Sequence, residues 1–297
     1  MKIDLLPRLF RLGAVGALLA ASAAAALMPD WATTLKAQSY YGNVDLQLSV
    51  QPSAPIARAG SNLDFLVSIA NAGPDDAHSP RTHTKIEGIA AVTATSGCLE
   101  DSSGFPDCTL SSPLPASGSA DYLMSMAISP LARGYLDVTV AAVSDDAELA
   151  PGTESVVLHM PIEAGVDLGA NVTCDRSYVM RGAALHCHVS LRNNGPAAAI
   201  PYFNVNTGGA TVSDFTCVAS RPVLCPAQVP LAWKSNLIMP GEEIGLWFSA
   251  TVAPSFAPET FSIYSSATTG YGEVESEPAD NASESVVSVS LFRDGFE

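Results

Sequence analysis

Residues 43–74 of this 297-residue chain are written a second time at 165–196. Val44-Asp45-Leu46 returns as Val166-Asp167-Leu168, Gly60 as Gly182, and Asn71-Ala72-Gly73-Pro74 as Asn193-Asn194-Gly195-Pro196, all at a spacing of 122 residues. No gap is needed between these anchors. Later landmarks drift slightly, with Cys98 and Cys108 answering to Cys217 and Cys225, and Pro130 to Pro254. A solenoid stacks many short repeats, whereas two units of about 120 residues fit two tandem globular domains.

Within each unit the apolar residues alternate with polar ones. Leu46, Leu48 and Val50 do so, as do Leu63, Phe65, Val67 and Ile69, and the second copy repeats the pattern at Leu185, Cys187, Val189 and Leu191. A period of two means one buried face and one wet face, as in an antiparallel sheet. Gly60 and Gly182 fall in the turn between the first two strands, where a positive φ is often required. Asn-x-Gly-Pro ends the second strand, because Pro cannot donate to a ladder. Further alternating runs lie at 122–128, 136–143, 155–159, 246–252, 261–266 and 286–291. Short strands at regular spacing between Gly/Pro-rich turns predict a β-sandwich.

The succession of Val-Asp-Leu, a Gly turn, Asn-x-Gly-Pro, a Cys pair, Pro240-Gly241-Glu242 before a strand, and Asp280-Asn281 before a Val-rich strand resembles the bacterial conserved repeat domain (domain-of-unknown-function family eleven). The first copy departs from it, with Pro115-Ala116-Ser117-Gly118 in place of Pro-Gly-Glu and no closing Asp-Asn. The resemblance implies two tandem immunoglobulin-like antiparallel β-sandwich domains of an all-β protein, similar to CARDB-type modules on exported bacterial proteins. The expected boundaries are 1–37 for a signal peptide, 38–163 and 164–291 for the two domains, and 292–297 for a tail ending in Asp-Gly-Phe-Glu, which resembles the tail of some exported Gram-negative proteins.

Lys2, Arg8 and Arg11 precede an uncharged stretch from Leu12 to Met28. A basic start followed by an Ala-rich apolar run is the layout of a secretory signal. The run is marginal for spanning a hydrocarbon core of about 30 Å, so cleavage is favoured over a retained anchor. The cut is expected after Ala37, with the Ala23–Ala26 cluster as the alternative, which leaves no membrane span in the mature chain. Removing residues 1–37 takes four basic residues (Lys2, Arg8, Arg11, Lys36) and two acidic ones (Asp4, Asp30), moving the net charge from −16 to −18. Such acidity excludes nucleic acid and anionic membrane as partners. The expected location is secreted, periplasmic or at the cell surface.

All six cysteines follow the signal, an even number in a chain bound for an oxidising compartment. Spacing favours three local disulfides, Cys98–Cys108, Cys174–Cys187 and Cys217–Cys225. His186-Cys187-His188 looks rich in ligands but lacks structural zinc spacing, and on a strand the two histidines share the face opposite Cys187. Two solvated imidazoles are the simpler reading.

No nucleophile elbow, zincin helix, phosphate loop or dinucleotide fingerprint occurs, and His78, His83 and His159 carry no motif around them. The chain is therefore read as non-enzymatic, with no cofactor. Two binding features remain. The loops holding Asp145, Asp146 and Glu148, and Glu273, Glu275, Glu277 and Asp280, supply oxygen ligands of the type Ca²⁺ accepts, though a charged solubilising loop explains them without a metal. Trp247 has the parity opposite to Leu246 and Phe248 and should face out, where it could stack on a sugar or anchor a protein, or pack on the neighbouring domain. Trp233 is expected in a loop. The leading expectation is a structural spacer or a protein-interaction/adhesion module, its partner a protein or a surface polysaccharide. The alternative is a carbohydrate- or calcium-binding module.

Overall fold

The computed structural model describes residues 42–100, 107–111, 113–226, 231–270 and 272–290; the expected signal peptide at 1–37 and tail at 292–297 lie outside the described residues. Each copy contributes seven long strands. In the first they are β1 (Leu46–Pro52), β2 (Asn62–Asn71), β3 (Arg81–Glu87), β4 (Ala90–Ser96), β5 (Ser119–Ile128), β6 (Gly134–Val143) and β7 (Ser155–Glu163). In the second they are β8 (Leu168–Cys174), β9 (Ala184–Asn193), β10 (Tyr202–Asn206), β11 (Thr211–Ala219), β12 (Glu243–Thr251), β13 (Thr260–Thr268) and β14 (Ala282–Ser290). No helix among the described residues is long and apolar enough to cross a membrane.

The strands build the same pair of sheets twice. One sheet runs β1-β2-β5-β4 in the first copy and β8-β9-β12-β11 in the second; the other has β7-β6-β3 and β14-β13-β10 at its centre. This is the strand order of an immunoglobulin-like sandwich, so the chain is all-β with two such sandwiches in tandem. Short segments complete the second sheet of each copy: Ala57–Arg58 runs parallel to β7, and Tyr178–Met180 runs parallel to β14. Sequence alternation sets the core. Along β2 every second residue is buried, with Phe65, Val67 and Ile69 fully enclosed; along β9 the enclosed residues are Leu185, Val189 and Leu191.

The two motifs that announced the duplication touch each other. A Cβ on Gly73 would lie 2.6 Å from Asp45 N and from Val44 Cα, and one on Gly195 would lie 2.5 Å from Asp167 N. Only glycine lets the loop after the second strand approach the Val-Asp-Leu segment so closely. The preceding Asn is fully buried in both copies. Asn193 Nδ2 donates to the carbonyls of Ala197 (2.8 Å) and Ile238 (3.2 Å), and its Oδ1 accepts from Gly195 N–H at 3.1 Å. Asn71 does the same toward Asp75 O (2.8 Å), Leu114 O (3.3 Å) and Gly73 N–H (3.0 Å). One amide thus ties two loops together, satisfying one carbonyl and one N–H that have no ladder partner and adding a second bond to a carbonyl already held in a β-bridge. Gly60 and Gly182 hold φ of +75° and +79° in the turns before β2 and β9.

The copies also differ in instructive ways. The turn before β5 has Ser117 at φ +58°, where the turn before β12 has Gly241 at +78°. Trp233 corrects the expectation of a loop: it lies in a short strand, Ala232–Lys234, paired with β10, and packs edge-on against Phe203 with ring centroids 4.9 Å apart. The sandwiches meet through Ala198 N–H, which donates to Pro130 O at 3.0 Å, and through Arg133, which reaches Ala198 O at 2.5 Å.

Candidate functional site

The outer face of the β8-β9-β12-β11 sheet is where the second copy parts from the first. Register pairs His188 with Trp247 and His186 with Ser249 across β9 and β12. At the equivalent places β2 and β5 pair Leu66 with Leu123 and Asp64 with Ser125. The serine–partner pair survives with a changed partner: Ser125 Oγ donates to Asp64 at 2.6 Å, while Ser249 Oγ lies 3.1 Å from His186 Nδ1. The neighbouring leucine pair has become an imidazole–indole pair.

Trp247 faces out, 42% exposed, with its ring stacked on His188 at 4.1 Å between centroids and 26° between planes. Its strand neighbour Gly245 makes this posture possible, since a Cβ there would lie 2.7 Å from the indole and 2.9 Å from His188 Nε2. Burial holds the His188 imidazole below its ordinary pKa, with Glu243 opposing the shift, so the ring is neutral at pH 7. Its Nε2 is enclosed without a hydrogen-bond partner. Substituting Gly245→Ala should push the indole off the strand. The expected readout is a changed Trp247 fluorescence maximum with the fold retained, and an unchanged spectrum would contradict the packing described.

Around this stack lies a cleft of about 590 Å³, lined further by Thr173, Asp175, His186, Asp214 and Ser249, with the Cys174–Cys187 disulfide among its walls. Cys174 and Cys187 face each other directly across β8 and β9. Disulfides also join Cys98–Cys108 and Cys217–Cys225, and no described cysteine is free. Asp214 enters through a β-bulge: β11 shifts register against β12 between Ser213 and Thr216, and Asp214 takes φ +56°. Bulges re-aim side chains in this way. Hydrogen bonds from Ser213 and Ser249 hold the Asp214 carboxyl below the usual range. Arg176 does the same for Asp175, at 2.9 Å. Both groups are carboxylates at neutral pH.

The His186, Ser249 and Asp214 side chains do not make a nucleophilic relay. A relay needs the carboxylate on the far nitrogen of the imidazole, to fix its tautomer; here Asp214 addresses the serine. The other histidines serve locally. His78 lies 3.1 Å from Asp146, His83 2.7 Å from Asp107, and His159 2.5 Å from Asp137 while stacking on Tyr135.

The acidic loops are largely occupied with the backbone. Glu148 accepts from Leu46 N–H at 3.2 Å and Glu275 from Leu168 N–H at 3.2 Å, the same device in both copies. Asp145 pairs with Arg81 at 3.1 Å, and Asp146 accepts from His78 N–H at 2.5 Å. Glu273 accepts from Gly270 N–H at 2.9 Å and faces Arg133 at 3.6 Å. The Asp280 carbonyl takes Ala170 N–H at 2.8 Å. Among the described residues no three His, Cys, Asp or Glu side chains converge as a metal requires. Asp167 carries the cost of this crowding: burial raises its pKa, and the charges of Asp280, Glu275 and Glu277 raise it further. A carboxyl with a raised folded-state pKa favours folding at low pH and loses that contribution as pH rises through the folded value. Asp167→Asn should therefore raise the melting temperature at pH 7, with the gain shrinking as pH approaches 3.8. A lowered melting temperature at pH 7 would contradict this electrostatic account.

No family model matches the chain, and no curated protein matches it. Among solved structures it is similar to the adhesin InvE of Yersinia pseudotuberculosis, at 12% identity and a TM-score of 0.32 over 82% of this chain and 60% of that one. It is similar to the Escherichia coli adhesin FdeC at 13% identity and a TM-score of 0.27, covering 82% and 64%. It is also similar to a red sea bream transglutaminase at 18% identity and 0.29, covering 82% and 31%. The chain spans less than two thirds of each of these three structures. At such scores the fold assignment rests on the strand order itself.

Proposed function

We propose that this chain is an exported, non-enzymatic interaction module, its two sandwiches forming the frame and the Trp247 face of the second sandwich meeting the partner. The divergence of that face between two copies with a common frame carries the reading. Leu66 and Leu123 show what the frame needs at those positions, and His188 with Trp247 goes beyond it. An exposed, rigid indole in a cleft with polar walls has the makeup of an interface anchor. Export is supported by the basic-then-apolar start and by three disulfides, which persist in oxidising compartments. The likeness of the repeat to the bacterial conserved repeat domain, and the boundaries 38–163 and 164–291, belong to the same proposal. The test is adhesion of beads coated with the purified protein to whole bacteria and to epithelial layers. Retention well above albumin-coated beads is expected. Retention equal to albumin, or turnover in an esterase, protease and glycosidase panel, would overturn the assignment.

A further inference from the structure

The cleft beside Trp247 has a charge signature that narrows its occupant. The side chains lining it include two carboxylates, Asp175 and Asp214, and no lysine or arginine. Asp175 is matched by Arg176, whereas no ion pair among the described residues reaches Asp214. Both carboxyls are held ionised, and the whole chain carries −16. The neighbouring aromatic stack is neutral, because His188 is desolvated. A neutral indole next to a carboxylate that meets only serine hydroxyls and the His186 imidazole, with no Lys or Arg ion pair, suits a planar cation, which can lie over the ring and donate to the carboxylate oxygens. An ammonium has no flat face to stack with and no fork to match the carboxylate. The first copy lacks this pairing of an indole with a bulge carboxylate: its bulge, between Val92 and Ala94, presents Thr93, and its ring positions are leucines.

Resting on the assignment of the Trp247 face as the docking face, we propose that the cleft takes an arginine side chain of a partner protein, its guanidinium stacked on Trp247 and paired with Asp214. The strained left-handed backbone at Asp214 presents the carboxylate to that side chain.

The experiment is a titration of the whole purified protein with the peptide acetyl-Gly-Gly-Arg-Gly-Gly-amide, following the indole N–H resonance of Trp247 by NMR. Parallel titrations use the citrulline peptide, which keeps the shape without the charge, and a neutral β-linked oligosaccharide. Saturable movement with the arginine peptide is expected, at least tenfold weaker for citrulline and at least tenfold weaker in Asp214→Asn. Asparagine tolerates the left-handed backbone at 214, so this variant keeps its fold. Asp76→Asn, remote from the cleft, should change the affinity less than twofold, which separates site binding from general attraction to an acidic protein. Equal binding of the arginine and citrulline peptides, or an unchanged affinity in Asp214→Asn, overturns the proposal. Oligosaccharide binding lost in His188→Leu/Trp247→Leu would overturn the arginine assignment while keeping the docking face. No binding of either ligand type up to 50 mM, a ceiling on the order of the weakest specific contacts, would overturn the arginine assignment as well.

Discussion

Asn193→Ala is expected to lower the melting temperature by about 10 °C or more. The amide is fully buried and makes three hydrogen bonds, to Ala197 O, Ile238 O and Gly195 N–H. Truncation leaves Ala197 O and Gly195 N–H enclosed without partners, each costing roughly 1–3 kcal/mol, while Ile238 O keeps the N–H of Ala199 at 2.9 Å. A loss of about 3–5 kcal/mol corresponds to a shift of this size for a domain of about 120 residues. Asn71→Ala should act alike, since three of its bonds match those of Asn193 and two longer ones, to Asp45 N–H and Pro115 O, add to them. Gly195→Ala should be comparably damaging by a different route, because its Cβ would sit 2.5 Å from a backbone nitrogen that no rotamer change can move. Thermal unfolding followed by circular dichroism checks all three. A shift under about 2 °C for Asn193→Ala would mean that the loop groups find water and that the amide is not structural.

The double substitution His188→Leu/Trp247→Leu has the opposite profile, with binding lost and folding kept. The first copy already folds with Leu66 and Leu123 at these positions, 39% and 49% exposed. Removing the stack forfeits about 0.5–1.5 kcal/mol of aromatic contact, but it also removes the enclosed, unpartnered Nε2 of His188. The melting temperature at pH 7 should therefore move by no more than about 3 °C. Acid should distinguish the proteins. The folded-state pKa of His188 lies below 6.5, so the unfolded chain takes up the proton first. The stability attached to the neutral ring is full above pH 6.5 and is lost as pH falls from there toward the folded value. That part of the acid decline should be missing in the double variant.

The frame of this molecule was legible because its determinants are local. Alternation marked the inner faces, and the repeated Asn-x-Gly-Pro and Val-Asp-Leu marked their joins. The contact between those two motifs was not legible, since it depends on the loop folding back across the sheet end. The parallel segments Ala57–Arg58 and Tyr178–Met180 left no signal either, being two or three residues long and paired with strands about a hundred residues away. Parity put His186 and His188 on one face of their strand and Trp247 on the outer face of its own, while the pairing of β9 with β12 that joins them on a single face was not legible. Asp214 left no signal because the bulge that delivers it has no glycine or proline, and the alternation along Thr211–Ala219 is too broken to mark a strand. Trp233 was misplaced for a related reason: its strand is three residues long and follows a Pro-rich stretch.

In the proposed function, the outer face of the second sandwich, and not the shared frame, meets the partner. The most direct test compares the adhesion of beads coated with the wild-type protein and with His188→Leu/Trp247→Leu, at equal coating density and with both proteins folded. Adhesion of the variant is expected to fall at least tenfold, to the level of albumin-coated beads. Equal adhesion of the two proteins would contradict it and move the contact elsewhere on the frame.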